Sequence, residues 1–207
     1  MTNARELLPY DSSGAPRLKV AFVGTHGTGK TTLCFDLASQ LKRLDLGVEI
    51  VKEVARRCPL PINERTTPDA QAWILHTQIA EELEAAASYE VVICDRSVLD
   101  NYAYLVARAG RQPELDALVG SWIRGYDALF KVPVLSAPSF DGMRAVSRSF
   151  QMEIDATIDK LVTDFDVEVL PLDPAAREGW ISVVMEKLGL SQHPPQIDLF
   201  SAGASGA

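Results

Sequence analysis

Short apolar runs alternate along the chain with longer stretches in which apolar residues recur at helical spacing. The runs predict strands at 18–23, 48–51, 91–94 and 167–170, and another within 128–135 that the pattern places at 132–135. Each run is apolar nearly throughout, as expected of strands that are buried on both faces. The alternation therefore indicates an α/β fold with a five-stranded parallel sheet covered by helices on both faces.

The helical stretches fill the gaps between these strands. The first helix is expected at about 30–44, where Leu33, Leu37 and Leu41 share one face. A longer helix starts at Pro68, since proline suits a first helical turn, and its apolar stripe includes Leu83. Residues 53–68 are expected to form a loop or a short helix. The other helical stretches cover 98–124 with a break near 110–113, the region around 154–161, and 174–188.

These elements predict one domain at 17–190, with a flexible leader at 1–16 and a disordered tail at 191–207. No apolar run approaches the length of a membrane span, and the first residues lack the apolar core of a signal peptide. The three cysteines lack C-x-x-C spacing and favour buried free thiols. We therefore expect a cytoplasmic protein that does not associate with a membrane.

A glycine-rich segment, Gly24–Thr31, follows the first predicted strand and precedes the first predicted helix. It fits the Walker A pattern G-x-x-x-x-G-K-[ST], whose backbone N–H groups bind phosphate oxygens. Lys30 would supply a charge to the β- and γ-phosphates, and the Thr31 hydroxyl would bind Mg²⁺. The residues predicted to bind ATP here are Gly24, Thr25, His26, Gly27, Thr28, Gly29, Lys30, Thr31 and Thr32.

Charged residues follow the other predicted strands, where ligands of parallel α/β sheets bind. Glu53 and Arg56 follow the second strand, and Asp95 and Arg96 follow the third. Asp141, Arg144 and Arg148 follow the fourth strand, and Arg177 lies just after the fifth. Phosphoryl transfer needs this combination, because cations neutralise the charge of the transition state while a carboxylate orients or deprotonates the attacking hydroxyl.

Several roles stay open at this point. Asp95 is the candidate ligand of Mg²⁺, although a strand-end aspartate also serves as a helix cap or as a partner of Arg96. Glu53 is the candidate general base or acceptor contact. Its alternative is an exposed acid paired with an arginine, and Asp95 would then be the candidate base.

The remaining candidates concern the lid and the acceptor. Arg144 and Arg148 are four residues apart and would close over the phosphates if they share a helix. Trp73 and Gln78 are candidates for an acceptor pocket, although a tryptophan on an amphipathic helix more often packs in the core. Trp122 and Trp180 are interpreted as packing residues, and neither His26 nor His76 is expected to be catalytic.

Five segments carry a resemblance to a known family: Gly24–Thr31, Glu53–Arg56, Asp95–Ser97, Asp141–Arg144 and Arg177. Together they resemble the AAA-type "ATPase/kinase involved in NAD metabolism" group, which includes ribosylnicotinamide kinase domains. The layout is also similar to that of deoxynucleoside kinases. The resemblance covers about residues 18–188 and implies a P-loop NTPase fold, a three-layer sandwich of the kinase type.

The resemblance also implies roles. Glu53 would contact or deprotonate the acceptor hydroxyl, and Asp95 with Thr31 would serve Mg²⁺. Arg96 would contact the transferring phosphate and Arg177 the region of the adenine, while Arg144 and Arg148 would belong to the lid. The substrate-binding candidates are Glu53, Arg56, Trp73, Gln78 and Arg96.

These observations predict an ATP- and Mg²⁺-dependent kinase that phosphorylates a hydroxyl of a nucleoside or nucleotide-like small molecule. A kinase of polynucleotides is one alternative, which the net charge of −8 disfavours. A P-loop ATPase that acts as a switch for a protein partner is another. A homodimer is among the assemblies compatible with the sequence.

Overall fold

Parallel strands form the centre of the molecule in the computed structural model, which describes residues 4–9, 17–62, 65–135 and 148–190. The strands are β1 Leu18–Val23, β2 Val48–Val51, β3 Val91–Cys94, β4 Ala128–Lys131 and β5 Leu170–Pro171. Their order across the sheet is β2-β3-β1-β4-β5, and all neighbouring strands are parallel. β1 is therefore central, so the loop that follows it lies in the middle of the carboxyl edge.

Helices cover both faces of this sheet, which confirms the predicted α/β fold. They are α1 Lys30–Arg43, α2 Pro68–Ser88, α3 Val98–Ala109, α4 Pro113–Trp122, α5 Arg148–Asp164 and α6 Trp180–Lys187. Short 3₁₀ helices lie at Ala4–Leu7, Val54–Arg57, Ile123–Gly125 and Pro174–Gly179. No helix in these described parts of the chain is long and apolar enough to cross a membrane.

The side chains of β1 alternate between two hydrophobic layers. Val20 and Phe22 point into the layer that contains α1 and α6, while Ala21 and Val23 point into the layer that contains α2, α3 and α5. All four are fully buried. Burial on both faces explains why the strand is apolar throughout, because each buried large side chain contributes about 1.5–3 kcal/mol to folding.

β4 occupies a different position from the predicted 132–135. It pairs with β1 from Ala128 to Lys131, and the pairing ends soon after because β1 ends at Val23. The Val132 N–H still donates to the Val23 carbonyl, at 2.8 Å. Residues 132–135 then leave the sheet beside the glycine-rich loop.

The elements near the C-terminus also differ from the prediction. β5 is Leu170–Pro171 rather than 167–170, because it pairs with the last two residues of β4. Proline is tolerated there because β5 is an edge strand. The helix predicted at 174–188 is divided into the 3₁₀ helix Pro174–Gly179, with a non-helical Ala176, and α6.

The predicted leader is ordered in part. Leu8 is only 3% exposed and belongs to the core layer of α1 and α6. Arg5 forms an ion pair with Glu90, at 2.5 Å. Residues 4–9 thus differ from the loose leader that the sequence predicts, because a buried leucine and an ion pair hold them against the domain. The predicted tail at 191–207 lies outside the described residues.

The three cysteines are free, as expected. Cys34 and Cys94 are buried, and Cys58 is partly buried. Burial raises the pKa of the Cys34 and Cys94 thiols well above the usual value, so both remain neutral packing groups.

The buried face of α2 is more polar than its sequence pattern predicts. Leu83, assigned to the apolar stripe, is 58% exposed, whereas Gln78 and Glu82 are buried. The Glu82 carboxylate accepts hydrogen bonds from four side chains: Lys19, Gln78, Trp122 and Tyr126. Burial, reinforced by the charge of Glu82, raises the pKa of Tyr126, so its hydroxyl stays a donor. Glu82 is buried because these groups satisfy its charge and both of its oxygens.

We expect Glu82→Gln to lower the free energy of unfolding by about 3–5 kcal/mol, because it leaves Lys19 without its counter-charge and turns an amide N–H₂ toward donors. Urea unfolding measures this change. Glu84→Gln, on the same helix but exposed, is the matched control and should change stability by less than about 0.5 kcal/mol. Equal stability of the two variants would contradict the assigned role of Glu82.

Candidate active site

The glycine-rich loop joins the central strand β1 to α1. Gly27 and Gly29 have φ of 75° and 91°, the left-handed region that glycine adopts without strain. A Cβ at Gly24 would lie 2.7 Å from the Val132 carbonyl oxygen, too close for any side chain. Two glycines thus shape the loop, and the third allows the chain after β4 to pack against it.

Lys30 closes the loop from the inside. Its ammonium donates to the carbonyl oxygens of Gly24 and Thr25, at 2.7 and 2.5 Å. The side chain is buried, and burial together with the nearby charge of Arg96 lowers the pKa of Lys30 to about 8. An anion bound in the loop would favour the charged form and compete with these carbonyls for the ammonium.

Thr31 and Asp95 meet where α1 begins and β3 ends. The Thr31 hydroxyl donates to Asp95 Oδ2 at 2.5 Å. Asp95 is only 4% exposed, and burial raises its carboxyl pKa, against the opposing effects of Thr31 and Lys30. A hydroxyl and a carboxylate are hard oxygen donors that fit Mg²⁺, which takes its other ligands from phosphates and water. Within the described residues, no group of three or more His, Cys, Asp or Glu side chains could hold a metal by itself.

Glu53 is held between two arginines. Its Oε1 accepts from Arg96 Nε and Nη2 at 3.0 and 2.7 Å, and its Oε2 accepts from Arg56 Nε at 3.0 Å. The side chain of Arg96 is only 5% exposed, and that of Glu53 is 9% exposed. Burial alone would lower the pKa of Arg96, but the charge of Glu53 raises it, so the guanidinium stays charged. The pair is positioned by β2 and β3, which are neighbours in the sheet.

Two recesses share this ion pair. The first is lined by the glycine-rich loop together with the two acids and two arginines, namely Glu53, Arg56, Asp95 and Arg96. The second lies on the other side and is lined by His26, Glu53, Ala55, Ile62, Gln71, Ile74, Arg96, Asn101 and Tyr104. Glu53 and Arg96 therefore form a common wall, with the loop on one side and a pocket of aromatic, aliphatic and amide groups on the other.

Sequence reasoning missed Asp100. Its Oδ1 accepts from the Gly24 N–H at 2.6 Å, and its Oδ2 accepts from the Ser97 N–H and hydroxyl. The residue is fully buried in the first turn of α3. The available signal was the capping-box spacing of Ser97 and Asp100, which marks a helix start. That spacing could not reveal that the free oxygen of the carboxylate would bind the glycine-rich loop.

Asn101 and Tyr104 were also missed. Both line the second recess, and Asn101 is 3% exposed with an amide nitrogen that makes no hydrogen bond within the described part of the chain. Arg96 lies over the Tyr104 ring, 5.2 Å from its centroid. Both residues occur in an apolar helical pattern, where sequence alone suggests packing rather than a pocket.

The other candidate residues that the structure describes line neither recess. Arg177 is exposed, and a Cβ at Gly29 would lie 3.3 Å from its guanidinium. Arg148 is exposed in the first turn of α5, whereas Arg144 lies outside the described residues. Trp73 is partly buried and lines neither recess.

Gln78 is also outside both recesses. It is fully buried, and its amide nitrogen donates to the Arg96 carbonyl at 3.0 Å and to Glu82. It therefore holds the backbone carbonyl of Arg96, whereas the sequence suggested that Gln78 lines an acceptor pocket.

Two solved structures of a deoxyadenosine kinase are similar to this chain. A deoxyadenosine kinase from M. mycoides with the products dCMP and dCDP is 18% identical with a TM-score of 0.61, over 83% of this chain and 99% of that chain. The same kinase with bound dATP is 17% identical with a TM-score of 0.56, over 84% of this chain and 100% of that chain. At this identity the likeness shows a shared fold. A search of curated proteins finds no match.

The sequence also matches a protein-family model, described as an AAA domain, over residues 19–178. The match begins in β1 and ends just before α6, so it includes the glycine-rich loop, Glu53, Asp95 and Arg177. The match and the shared fold together confirm the predicted resemblance to P-loop proteins with the layout of deoxynucleoside kinases. The chain therefore belongs to the AAA domain family that this model describes.

Proposed function

We propose that the protein is a kinase that transfers the γ-phosphate of ATP to a hydroxyl of a nucleoside or nucleotide-like small molecule. The observation that carries the proposal is the common wall of Glu53 and Arg96. It places a carboxylate and a buried guanidinium between a phosphate-binding loop and a second pocket. A kinase needs both pockets, because donor and acceptor must meet at the reacting phosphorus.

The first recess is suited to the triphosphate. The loop N–H groups, the N-terminus of α1 and Lys30 would bind the phosphates. Thr31 and Asp95 would hold Mg²⁺, which neutralises phosphate charge when it is bound. The guanidinium of Arg177 lies beside Gly29 and would contact the nucleotide there.

The second recess has a cavity volume of only about 20 Å³, so an acceptor would have to widen it, but its lining suits a planar, hydrogen-bonding group. Tyr104 and Ile74 supply flat or apolar surface, and the amides of Gln71 and Asn101 supply hydrogen-bonding groups. A nucleobase has this combination of a flat ring and polar edges. The related fold with dCMP, dCDP or dATP bound is consistent with such an acceptor.

Glu53 would receive the acceptor hydroxyl, orient it and take its proton, while Arg96 turns its charge toward the transferring phosphoryl group. Nη1 of Arg96 makes no hydrogen bond to any described residue and is available for this contact. Asp95 is less suited as the base because its carboxylate already contacts Thr31 at the proposed metal site.

The charges around Glu53 favour a small acceptor over a polynucleotide. Arg56 and Arg96 are paired with Glu53, and Arg57 is paired with Glu81. Three arginines are thus paired with two glutamates, and the one net positive charge that remains is far less than the basic surface that binds a phosphate backbone.

The test is a screen of nucleosides, nucleotides and oligonucleotides for acceptor-dependent ADP release, with the phosphorylated product identified by mass spectrometry. The proposal expects a small molecule among the acceptors. Phosphorylation of oligonucleotides alone would indicate a polynucleotide kinase. ATP turnover that no acceptor stimulates would indicate an ATPase and would overturn the proposal.

Glu53→Gln should reduce acceptor phosphorylation roughly 10²–10⁴-fold, because the amide cannot accept the hydroxyl proton and leaves Arg96 without its counter-charge. ATP affinity, measured by calorimetry, should change much less. Glu49→Gln, on β2 and outside both recesses, is the control and should retain activity. Retained activity of Glu53→Gln would remove Glu53 as the base and make Asp95 the candidate.

ATP affinity should fall as the pH rises above about 8, because Lys30 has a lowered pKa and must be charged to bind phosphate. Well above this pH, the Kd should rise about tenfold per pH unit. Calorimetry between pH 7.5 and 9.5, in two buffers of different ionisation enthalpy, should show proton uptake on binding. Lys30→Ala should bind weakly, without this proton uptake. Wild-type affinity that does not vary with pH would contradict the assignment.

A further inference from the structure

His26 belongs to the glycine-rich loop, but its side chain points away from the phosphate-binding side. It is 3% exposed, and its Nδ1 lies 2.9 Å from the Tyr104 hydroxyl on α3. Its ring stacks on Phe150 in the first turn of α5, with centroids 5.9 Å apart. The Gln151 amide donates to the His26 carbonyl at 2.8 Å. We call these four residues, His26, Tyr104, Phe150 and Gln151, the His26 cluster.

The cluster joins three parts of the proposed site. His26 and Tyr104 both line the second recess, and Tyr104 supports the guanidinium of Arg96. Phe150 and Gln151 lie two and three residues after Arg148, whose side chain is exposed at the start of α5. The Phe150 ring also meets the edge of the Tyr104 ring, at a centroid distance of 6.0 Å. The loop, the second recess and α5 are thus packed around one residue.

Lys30 is the residue through which a bound phosphate would act on His26. Its ammonium bonds to the Thr25 carbonyl, which belongs to the peptide group that joins Thr25 to His26. A phosphate that attracts the ammonium withdraws it from this carbonyl, so the peptide must find another partner or turn. The His26 side chain contacts Tyr104 on α3, and its carbonyl accepts from Gln151 on α5, so a turn of this peptide would shift both helices.

We propose that His26 is a positioning residue that transmits triphosphate binding in the loop to the second recess and to the first turn of α5. ATP binding would thereby change the position of Tyr104 in the second recess and the orientation of Arg148. By linkage, occupation of the second recess would change ATP affinity by the same factor. The inference uses the donor half of the proposed function, but it does not depend on the identity of the acceptor.

Hydrogen–deuterium exchange of the full chain, with and without Mg²⁺ and ATPγS, tests the proposal. In the wild type, ATPγS should slow exchange in peptides from the loop and in peptides from the start of α5. In His26→Ala, the loop should remain protected, whereas the protection of α5 should decrease roughly fivefold or more. Met152→Ala, at an exposed position of the same helix, is the matched control and should behave like the wild type.

Tyr104→Phe keeps the ring beneath Arg96 and removes only the hydroxyl that contacts His26. It should show a smaller loss of α5 protection, and it serves as the test if His26→Ala does not fold. Protection of α5 that persists in the cluster variants would overturn the proposal, as would a wild type that protects the loop alone.

These results are distinguishable from a failure of the proposed function. A chain that transmits ATPγS binding to α5 but phosphorylates no acceptor would support the inference and overturn the kinase assignment. A wild type that does not bind ATPγS would overturn both.

Discussion

The buried charge of Arg96 is the constraint on which the site depends. A guanidinium inside a protein requires a counter-charge, and Glu53 provides it through two hydrogen bonds to one oxygen. The ring of Tyr104 lies against the cation, and Gln78 holds its backbone carbonyl. The pair fixes the relative positions of the residues after β2 and β3. It also forms the wall that divides the two recesses.

A second set of contacts fixes the glycine-rich loop against this wall. Asp100 connects the Gly24 N–H to Ser97, and so connects the end of β1 to the residue that follows Arg96. The Val132 carbonyl occupies the space that a side chain at Gly24 would need. The loop is therefore held by α3 on one side and by the chain after β4 on the other. These contacts hold the Gly24 end of the loop in place.

Much of the fold could be predicted from the sequence, because the local pattern of apolar residues agrees with the burial that the sheet requires. Strands buried on both faces leave continuous apolar runs, and β1, β2 and β3 have their predicted bounds. The errors occur where pairing partners decide the limits of an element. β4 ends early because β1 does, and β5 is shifted because Leu170 and Pro171 are the residues that pair with β4. On α2, Leu83 is exposed and Glu82 is buried, because Lys19 and Tyr126 create a polar position inside the sheet layer.

The sequence by itself determined the loop, the strand-end acids and arginines, and the edge of the sheet at which they meet. These features follow from local spacing and from the direction of parallel strands. Only the tertiary structure decided which groups touch. It paired Glu53 with Arg96 and turned Gln78 toward the Arg96 carbonyl. It also connected the β1 loop to α3 twice, through Asp100 with Gly24 and through His26 with Tyr104. Such contacts join residues that are distant in the chain, and no local pattern encodes the distance between them.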